Sequence, residues 1–214
     1  MKPIIFLLGP SGIGKSYLSK MLAENNYLYV HIDTDSRKRT FAANGFPPEW
    51  DRDFHKVNLA LLVGELRDRL NNEHAGAVVS FPTVHVFSPK MLLEASLLGV
   101  TPMVLWGKKE YCIRAAEQRI KNKGRKFDLP RYERLNEPTF LAYVRPEYNA
   151  FRVEAFQEDG SRYPKVKWLK RIMERMGGKQ DKCTKAGGDA PRESIKGQSL
   201  KMDSLAKIRF PTTK

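Results

Sequence analysis

Gly9-Pro10-Ser11-Gly12-Ile13-Gly14-Lys15-Ser16 is the stretch that decides the fold of this chain of 214 residues. It matches the phosphate-binding loop pattern G-x-x-x-x-G-K-[ST] at every defined position. An apolar run at residues 4–8 precedes it and predicts a buried strand, and residues 17–22 follow with apolar side chains at helical spacing. A strand, a glycine-rich loop and a helix in this order form a cradle for a polyphosphate. We therefore expect the chain to bind a nucleoside triphosphate.

The residue types within the loop support this interpretation. Gly12 and Gly14 can adopt backbone angles that turn amide groups inward, and neither has a Cβ atom to obstruct a ligand. Lys15 is expected to reach the β- and γ-phosphates, while the hydroxyl of Ser16 is expected to bind Mg²⁺. The alternative is a glycine turn that binds nothing. It is not favoured, because the flanking strand and helix are those that the motif requires.

Composition predicts one domain of ordinary size, residues 1–176, followed by a basic and largely disordered tail, residues 177–214. Apolar residues make up 41% of the chain and charged residues 29%. No apolar run approaches the roughly 20 residues that a membrane span needs, so we expect a cytoplasmic protein without a membrane partner. Cys112 and Cys183 have neither the pattern of a disulfide framework nor the spacing of zinc ligands.

The formal net charge of +14 suits a polyanionic ligand. ATP is already such a ligand, so the charge leaves nucleic acid possible but does not favour it. Basic residues interspersed with aromatic ones, which would stack unpaired bases, do not form a stripe anywhere in the sequence.

Alternating strand and helix patterns predict the fold class. Apolar runs at residues 27–32, 77–81 and 102–106 read as strands, with a weaker candidate at 151–156. One apolar helix face is predicted from Phe54 to Leu70, and Ser88-Pro89 is expected to open a helix that ends near Leu98. The pattern predicts a three-layer α/β/α fold with a mainly parallel sheet of about five strands. Ligands bind such sheets at the carboxyl ends of the strands, the positions of Gly9, Asp33, Ser80 and Gly107.

Two aspartates at the end of the second predicted strand form a second chemical signal. One carboxylate of Asp33-Thr34-Asp35 can hold Mg²⁺, while the other accepts a proton from an attacking hydroxyl. Aspartates that only cap a helix at a strand-end turn are the alternative. The neighbouring phosphate loop favours the functional interpretation.

A basic stretch after a helix that is expected to start near Glu110 forms a third signal. Arg119, Lys121, Lys123, Arg125 and Lys126 surround Gly124, and a new segment starts at Asp128-Leu129-Pro130. This pattern is typical of a mobile lid, here about residues 119–137, whose cations close over the transferring phosphate and exclude water. We favour Arg119 and Arg125 for that role, because a solvated helix end explains Lys121 and Lys126.

Together these segments resemble the shikimate/gluconate kinase group of P-loop small-molecule kinases. The resemblance covers about residues 2–163 and rests on GPSGIGKS, HIDTD, VVS, VLWG and the RIKNKGR lid. It implies a P-loop NTPase fold in which Asp33 serves Mg²⁺ and Asp35 serves the acceptor hydroxyl. It also implies that Arg119 lies against the adenine and that residues 159–161 form part of the base pocket.

The sequence departs from both namesakes of the group. Ser80-Phe81-Pro82-Thr83 stands where shikimate kinases have a glycine triplet, and the Cys and Lys of the gluconate kinase signature are missing. Arg39 or Arg52 would have to replace the usual substrate arginine. The lid, through Leu135, is also similar to that of polynucleotide 5′-kinases.

The sequence therefore predicts an ATP-dependent kinase that phosphorylates a hydroxyl of a small polar metabolite. Lys15, Asp35 and Arg125 are its expected catalytic residues, with ATP and Mg²⁺ as cofactors. A kinase of nucleic-acid 5′-ends or of nucleosides is one alternative. A nucleotide-dependent binding or switch protein, whose tail contacts a partner, is another.

Overall fold

The strand before the phosphate loop, β1 (Ile4–Leu8), lies in the centre of the sheet, and all five of its residues are buried. The computed structural model describes residues 1–32 and 40–177 of the chain. Their strands pair in the order β2-β3-β1-β4-β5, and every pairing is parallel. The other four strands are β2 (Tyr27–His31), β3 (Gly76–Ser80), β4 (Val100–Trp106) and β5 (Arg152–Glu154). The predicted α/β fold with a parallel sheet of about five strands is confirmed.

Helices connect the strands and cover both faces of the sheet, as crossover connections between parallel strands require. The α-helices are α1 (Lys15–Ala23), α2 (Thr40–Ala43), α3 (Leu59–Asp68), α4 (Pro89–Leu97), α5 (Lys109–Lys121), α6 (Leu129–Tyr143) and α7 (Lys165–Gly177). Short 3₁₀ helices occupy Pro48–Asp51, Phe54–Lys56 and Pro146–Tyr148.

Local capping chemistry sets several helix starts. The side chains of Ser88 and Asp128 accept the amide N–H groups of residues three positions later. The first cap places the start of α4 where the sequence predicts a helix, and the second shows that the new segment predicted at Asp128 is the helix α6. The continuous helix face predicted from Phe54 is wrong. Phe54 lies in a 3₁₀ helix, and α3 begins only after Asn58, whose side chain caps it.

Side chains of β1 alternate between the two faces of the sheet. Ile4 and Phe6 belong to a buried cluster with residues of α2, α3 and α4, whereas Ile5 and Leu7 belong to a second cluster with residues of α1, α5 and α7. In the described part of the chain, no helix combines the length and the apolar character needed to cross a membrane. The predicted tail, apart from Gly177, lies outside the described residues, as does Cys183.

Candidate active site

The phosphate loop connects β1 to α1 through three glycines with positive φ angles: 132° at Gly9, 83° at Gly12 and 113° at Gly14. A side chain is excluded at two of them by neighbouring backbone. A Cβ atom on Gly12 would lie 2.2 Å from the carbonyl oxygen of Cys112, and one on Gly9 would lie 2.6 Å from that of Leu105. The glycines of the motif are thus required by the close approach of β4 and α5 as well as by backbone conformation.

Donor groups converge inside the loop. The Nζ atom of Lys15 donates to the carbonyl oxygens of Gly9, at 2.6 Å, and Pro10, at 3.0 Å. The amide of Ile13 also donates to the Pro10 oxygen, at 3.4 Å. The first turn of α1 contains no acidic residue, so the positive end of its dipole is not neutralised locally. This arrangement suits a bound polyphosphate, whose oxygens would take the place of the loop carbonyls as acceptors.

A cavity of about 760 Å³ lies over the loop. Its size is within the range of small-molecule and cofactor sites. One wall includes cationic residues of α5, of the connection at residues 122–128 and of the start of α6: Arg119, Lys123, Arg125, Lys126 and Arg131. The opposite wall follows the ends of β2 and β3, with His31, Ile32 and residues 81–84. The cavity therefore joins Lys15 and Ser16 to most of the predicted lid cations.

Several lid residues differ in detail from the sequence interpretation. Arg119 and Lys121 lie in the last turn of α5 and do not follow it, and residues 129–137 belong to α6. Lys121 forms an ion pair with Glu117 at 3.0 Å, in keeping with a solvated helix end. Lys126, for which the same explanation was expected, lines the cavity.

Ser11 of the phosphate loop is contacted by side chains of α5 and α6 that lie within the predicted lid. Arg119 of α5 donates to its hydroxyl at 3.3 Å. From α6, Tyr132 donates to its carbonyl oxygen at 2.8 Å, and Asn136 accepts its amide N–H at 2.6 Å. Sequence reasoning missed Tyr132 and Asn136, whose spacing of four indicates no more than that they share a helix face.

Arg162, which follows β5, is a second contact that sequence reasoning missed. Its guanidinium donates to the carbonyl oxygens of Gly12, at 2.6 Å, and Ile13, at 3.0 Å. Burial lowers the pKa of this guanidinium. Residues 159–161, expected in the base pocket, form a turn in which Asp159 accepts the amide of Ser161 at 2.8 Å. Among the described residues of that loop, Arg162 is the one that lines the cavity.

The acceptor residues expected from the sequence are placed only in part. Asp33, Asp35 and Arg39 lie outside the described residues, which stop at Ile32 in the cavity wall. Arg52 is exposed and is not part of the cavity wall. Its neighbour Asp51 caps α2 by accepting two backbone amides at 2.8 Å each.

An aromatic cluster lies behind the cavity wall that residues 81–84 form. The ring of His85 stacks on Phe54 with centroids 4.1 Å apart, directly after the loop of residues 81–84. Burial lowers the pKa of His85 to about 4, against the weaker opposite effect of Asp51, so the neutral ring is the form that the fold stabilises. Sequence reasoning did not assign any role to this histidine.

Ser16 is the predicted Mg²⁺ ligand that the structure describes, and it lines the cavity. Within residues 1–32 and 40–177, no three His, Cys, Asp or Glu side chains are grouped so that they could hold a metal ion.

Known structures contain the same arrangement of strands and helices. A gluconokinase from Sinorhizobium meliloti 1021 superposes with a TM-score of 0.51 at 18% identity, covering 81% of this chain and 91% of that one. The chain has the P-loop kinase fold. The resemblance predicted from the sequence is thereby confirmed at the level of the fold.

Two further known structures superpose less closely. A tunicamycin resistance protein from Deinococcus radiodurans has a TM-score of 0.46 at 14% identity, covering 83% of this chain and 96% of that one. A shikimate kinase from Acinetobacter baumannii, in complex with shikimate, has a TM-score of 0.46 at 16% identity and covers 84% and 96%. Neither a family model nor a curated protein matches the sequence.

Proposed function

We propose that this chain is an ATP-dependent kinase that transfers the γ-phosphate to a hydroxyl group of a small polar metabolite. The observation that supports the proposal most is the shared cavity. Phosphate-loop donors and the cations of the connection between α5 and α6 face the same space, next to the ends of β2 and β3. A kinase needs this combination, because phosphoryl transfer depends on positioning and on the stabilisation of negative charge.

The residues present fit a bound nucleotide with Mg²⁺. Positive-φ glycines leave room for phosphates, Lys15 donates hydrogen bonds inside the loop, and Ser16 supplies a hydroxyl for the metal. ATP supplies the phosphoryl group, and Mg²⁺ neutralises part of its charge when bound. Lys15 holds the β- and γ-phosphates, while Arg119 and Arg125 stabilise the charge that develops and keep water away from the transferring group.

The acceptor side of the proposal depends on residues outside the described ranges. Asp35 orients the acceptor hydroxyl and takes up its proton, and Asp33 completes the Mg²⁺ site with Ser16. We propose Arg39 as the cation that binds a charged group of the acceptor. The exposure of Arg52 makes it the weaker candidate for that role.

The acceptor class can be tested by an ATP-consumption screen across sugar acids, nucleosides, small antibiotics and 5′-hydroxyl oligonucleotides. We expect turnover with a small metabolite and a shallow dependence of its KM on salt, because such an acceptor contacts few cations. An oligonucleotide contacts several, so its affinity would fall by orders of magnitude between about 50 and 200 mM salt. Tight, salt-sensitive use of an oligonucleotide by residues 1–176 would contradict the proposal.

We also expect removal of residues 177–214 to leave turnover of the true acceptor nearly unchanged.

Substitution of the two aspartates should separate their roles. Asp33→Asn is expected to raise the Mg²⁺ concentration needed for half-maximal activity, whereas Asp35→Asn is expected to lower kcat with the acceptor by about a hundredfold. Steady-state kinetics at varied Mg²⁺ and acceptor concentrations measures both. Equal and mild effects of the two changes would indicate that the aspartates only cap a turn.

A further inference from the structure

We infer that Arg162 and Tyr132 are positioning residues that hold the phosphate loop in its anion-binding conformation before a nucleotide arrives. The inference rests on the proposed function for the identity of the ligand, a nucleoside polyphosphate. Arg162 binds two consecutive loop carbonyls and Tyr132 binds the carbonyl before them.

Peptide geometry relates the direction of each of these carbonyls to the direction of the amide that follows it. In a trans peptide, the C=O of one residue and the N–H of the next point in opposite directions, and the described chain has no cis peptide. The carbonyl of Ser11 points to Tyr132, so the amide of Gly12 points away from it. The carbonyls of Gly12 and Ile13 point to Arg162, so the amides of Ile13 and Gly14 point away from the guanidinium.

The amide of Ile13 shows which side of the phosphate loop these N–H groups face. The N–H of Ile13 donates at 3.4 Å to the Pro10 carbonyl oxygen, which also accepts from Lys15 Nζ at 3.0 Å. Two donors that converge on one oxygen mark the interior of the loop. The carbonyl contacts of Arg162 therefore direct the amide of Ile13 toward the position where a phosphate oxygen would be bound.

The contact from α6 is made by two buried residues that are hydrogen-bonded to each other. Asn136 is 2% exposed, accepts the Ser11 amide, and donates to the backbone oxygen of Tyr132 at 2.7 Å. Tyr132 is itself 7% exposed. Because these two side chains bind both the N–H and the C=O of Ser11, they fix the orientation of that residue in the loop.

The charge of Arg162 also points to an anion. Within the described residues, the partners of its guanidinium are the two loop carbonyls and the ring of Phe156, and none of them is a carboxylate. Arg119 is a second cation, and it binds the same loop at Ser11. Gly14 permits this approach, since a Cβ atom there would lie 2.1 Å from Arg162 Nη1. A partly buried guanidinium without a carboxylate partner adds positive potential at the loop, and this potential favours a bound polyanion.

The test measures binding of ADP and of inorganic tripolyphosphate by calorimetry, without any acceptor, to Arg162→Met, Arg162→Lys and Tyr132→Phe. Arg175→Met is the matched control for Arg162, because Arg175 is also partly buried and donates to two backbone carbonyls, at Ala150 and Arg152, away from the cavity. Tyr148→Phe is the control for Tyr132, because its hydroxyl donates to the carbonyl of Phe87 at 3.0 Å.

We expect Arg162→Met to weaken binding of both ligands by about a hundredfold. Arg162→Lys keeps the charge but loses the two-pronged geometry, so it should weaken binding by about tenfold, as should Tyr132→Phe. The two controls should change binding less than about twofold. In the ligand-free protein, hydrogen exchange should become about tenfold faster at the amide of Ile13 in Arg162→Met and at that of Ser11 in Tyr132→Phe. A role confined to overall stability would not produce exchange changes restricted to the loop.

Equal losses in Arg162→Met and Arg175→Met, or unchanged exchange at the loop amides, would overturn the inference. If Arg162→Met does not fold, Arg162→Lys and Tyr132→Phe decide the question with the same criteria. If the variants show the expected binding pattern but the wild-type protein phosphorylates no acceptor, the proposed kinase function is refuted and the positioning role is supported. Phosphoryl transfer by Arg162→Met with unchanged ADP affinity would refute the positioning role and support the kinase.

Discussion

Lys15→Ala is expected to lower the kcat of phosphoryl transfer by at least about a hundredfold while the protein stays folded. The reason is the position of the ammonium group inside the phosphate loop, where it donates to the carbonyl oxygens of Gly9 and Pro10. Loss of this cation removes charge stabilisation that is needed most in the transition state. Steady-state kinetics with the acceptor found in the screen measures the effect, and circular dichroism confirms the fold.

Lys121→Ala is the matched control for that experiment. Lys121 is another lysine of the basic stretch, but it is exposed and paired with Glu117, so its removal should change kcat by less than about twofold. Near-complete activity of Lys15→Ala would refute the assignment of the phosphate loop.

Gly12→Ala is expected to abolish measurable nucleotide binding and to lower the free energy of unfolding by about 3 kcal/mol. The added Cβ would lie 2.2 Å from the carbonyl oxygen of Cys112, and the residue has a φ angle of 83°. The collision can be relieved only if the backbone of α5 or that of the phosphate loop moves. Chemical denaturation and ADP calorimetry measure the two effects.

Gly124→Ala separates conformational strain from collision in this prediction. Gly124 also has a positive φ angle, 66°, but nothing lies within 4 Å of a Cβ atom built on it. Gly124→Ala should therefore lower the free energy of unfolding only by the cost of placing alanine in a left-handed conformation, about 1 kcal/mol. Equal losses in the two variants would show that close packing of α5 against the loop is not what requires glycine at position 12.

The parts of the fold that sequence predicts are those whose signals are local. β1 and β3 are short apolar runs because they are buried on both faces of the sheet. The side chains of Ser88 and Asp128 cap the starts of α4 and α6 by accepting backbone amides three residues later. The phosphate loop is equally local, since its glycines, lysine and serine are consecutive.

The helix face that began at Phe54 failed for a local reason as well. Apolar residues from Phe54 to Leu70 have helical spacing, but Asn58 interrupts them with a cap, and Phe54 turns instead onto His85. A periodic pattern does not reveal a break when the residues on both sides are buried in one core.

The positioning residues of the loop could not be predicted, because their signal is not local. Tyr132 is 121 positions from Ser11 along the chain, and Arg162 is 150 positions from Gly12. Tyrosine, asparagine and arginine are common on helix and loop surfaces. Nothing in the sequence therefore indicates that Tyr132, Asn136 and Arg162 form hydrogen bonds with the backbone of the phosphate loop. Only the folded arrangement brings them to the loop.

The alternation along β1 has a consequence for how such a protein could diversify. The phosphate loop residue Ile13 packs in the cluster that contains α1, α5 and α7, whereas Phe81, in the opposite wall of the cavity, packs in the cluster that contains α2, α3 and α4. The sheet lies between these two clusters, and α6 contributes to both, through Tyr143 on one side and Tyr132 and Phe140 on the other. If the proposed kinase function holds, substitutions in α2, α3 and α4 could change the acceptor that the protein uses, while the packing of the phosphate loop on its own side of the sheet is retained.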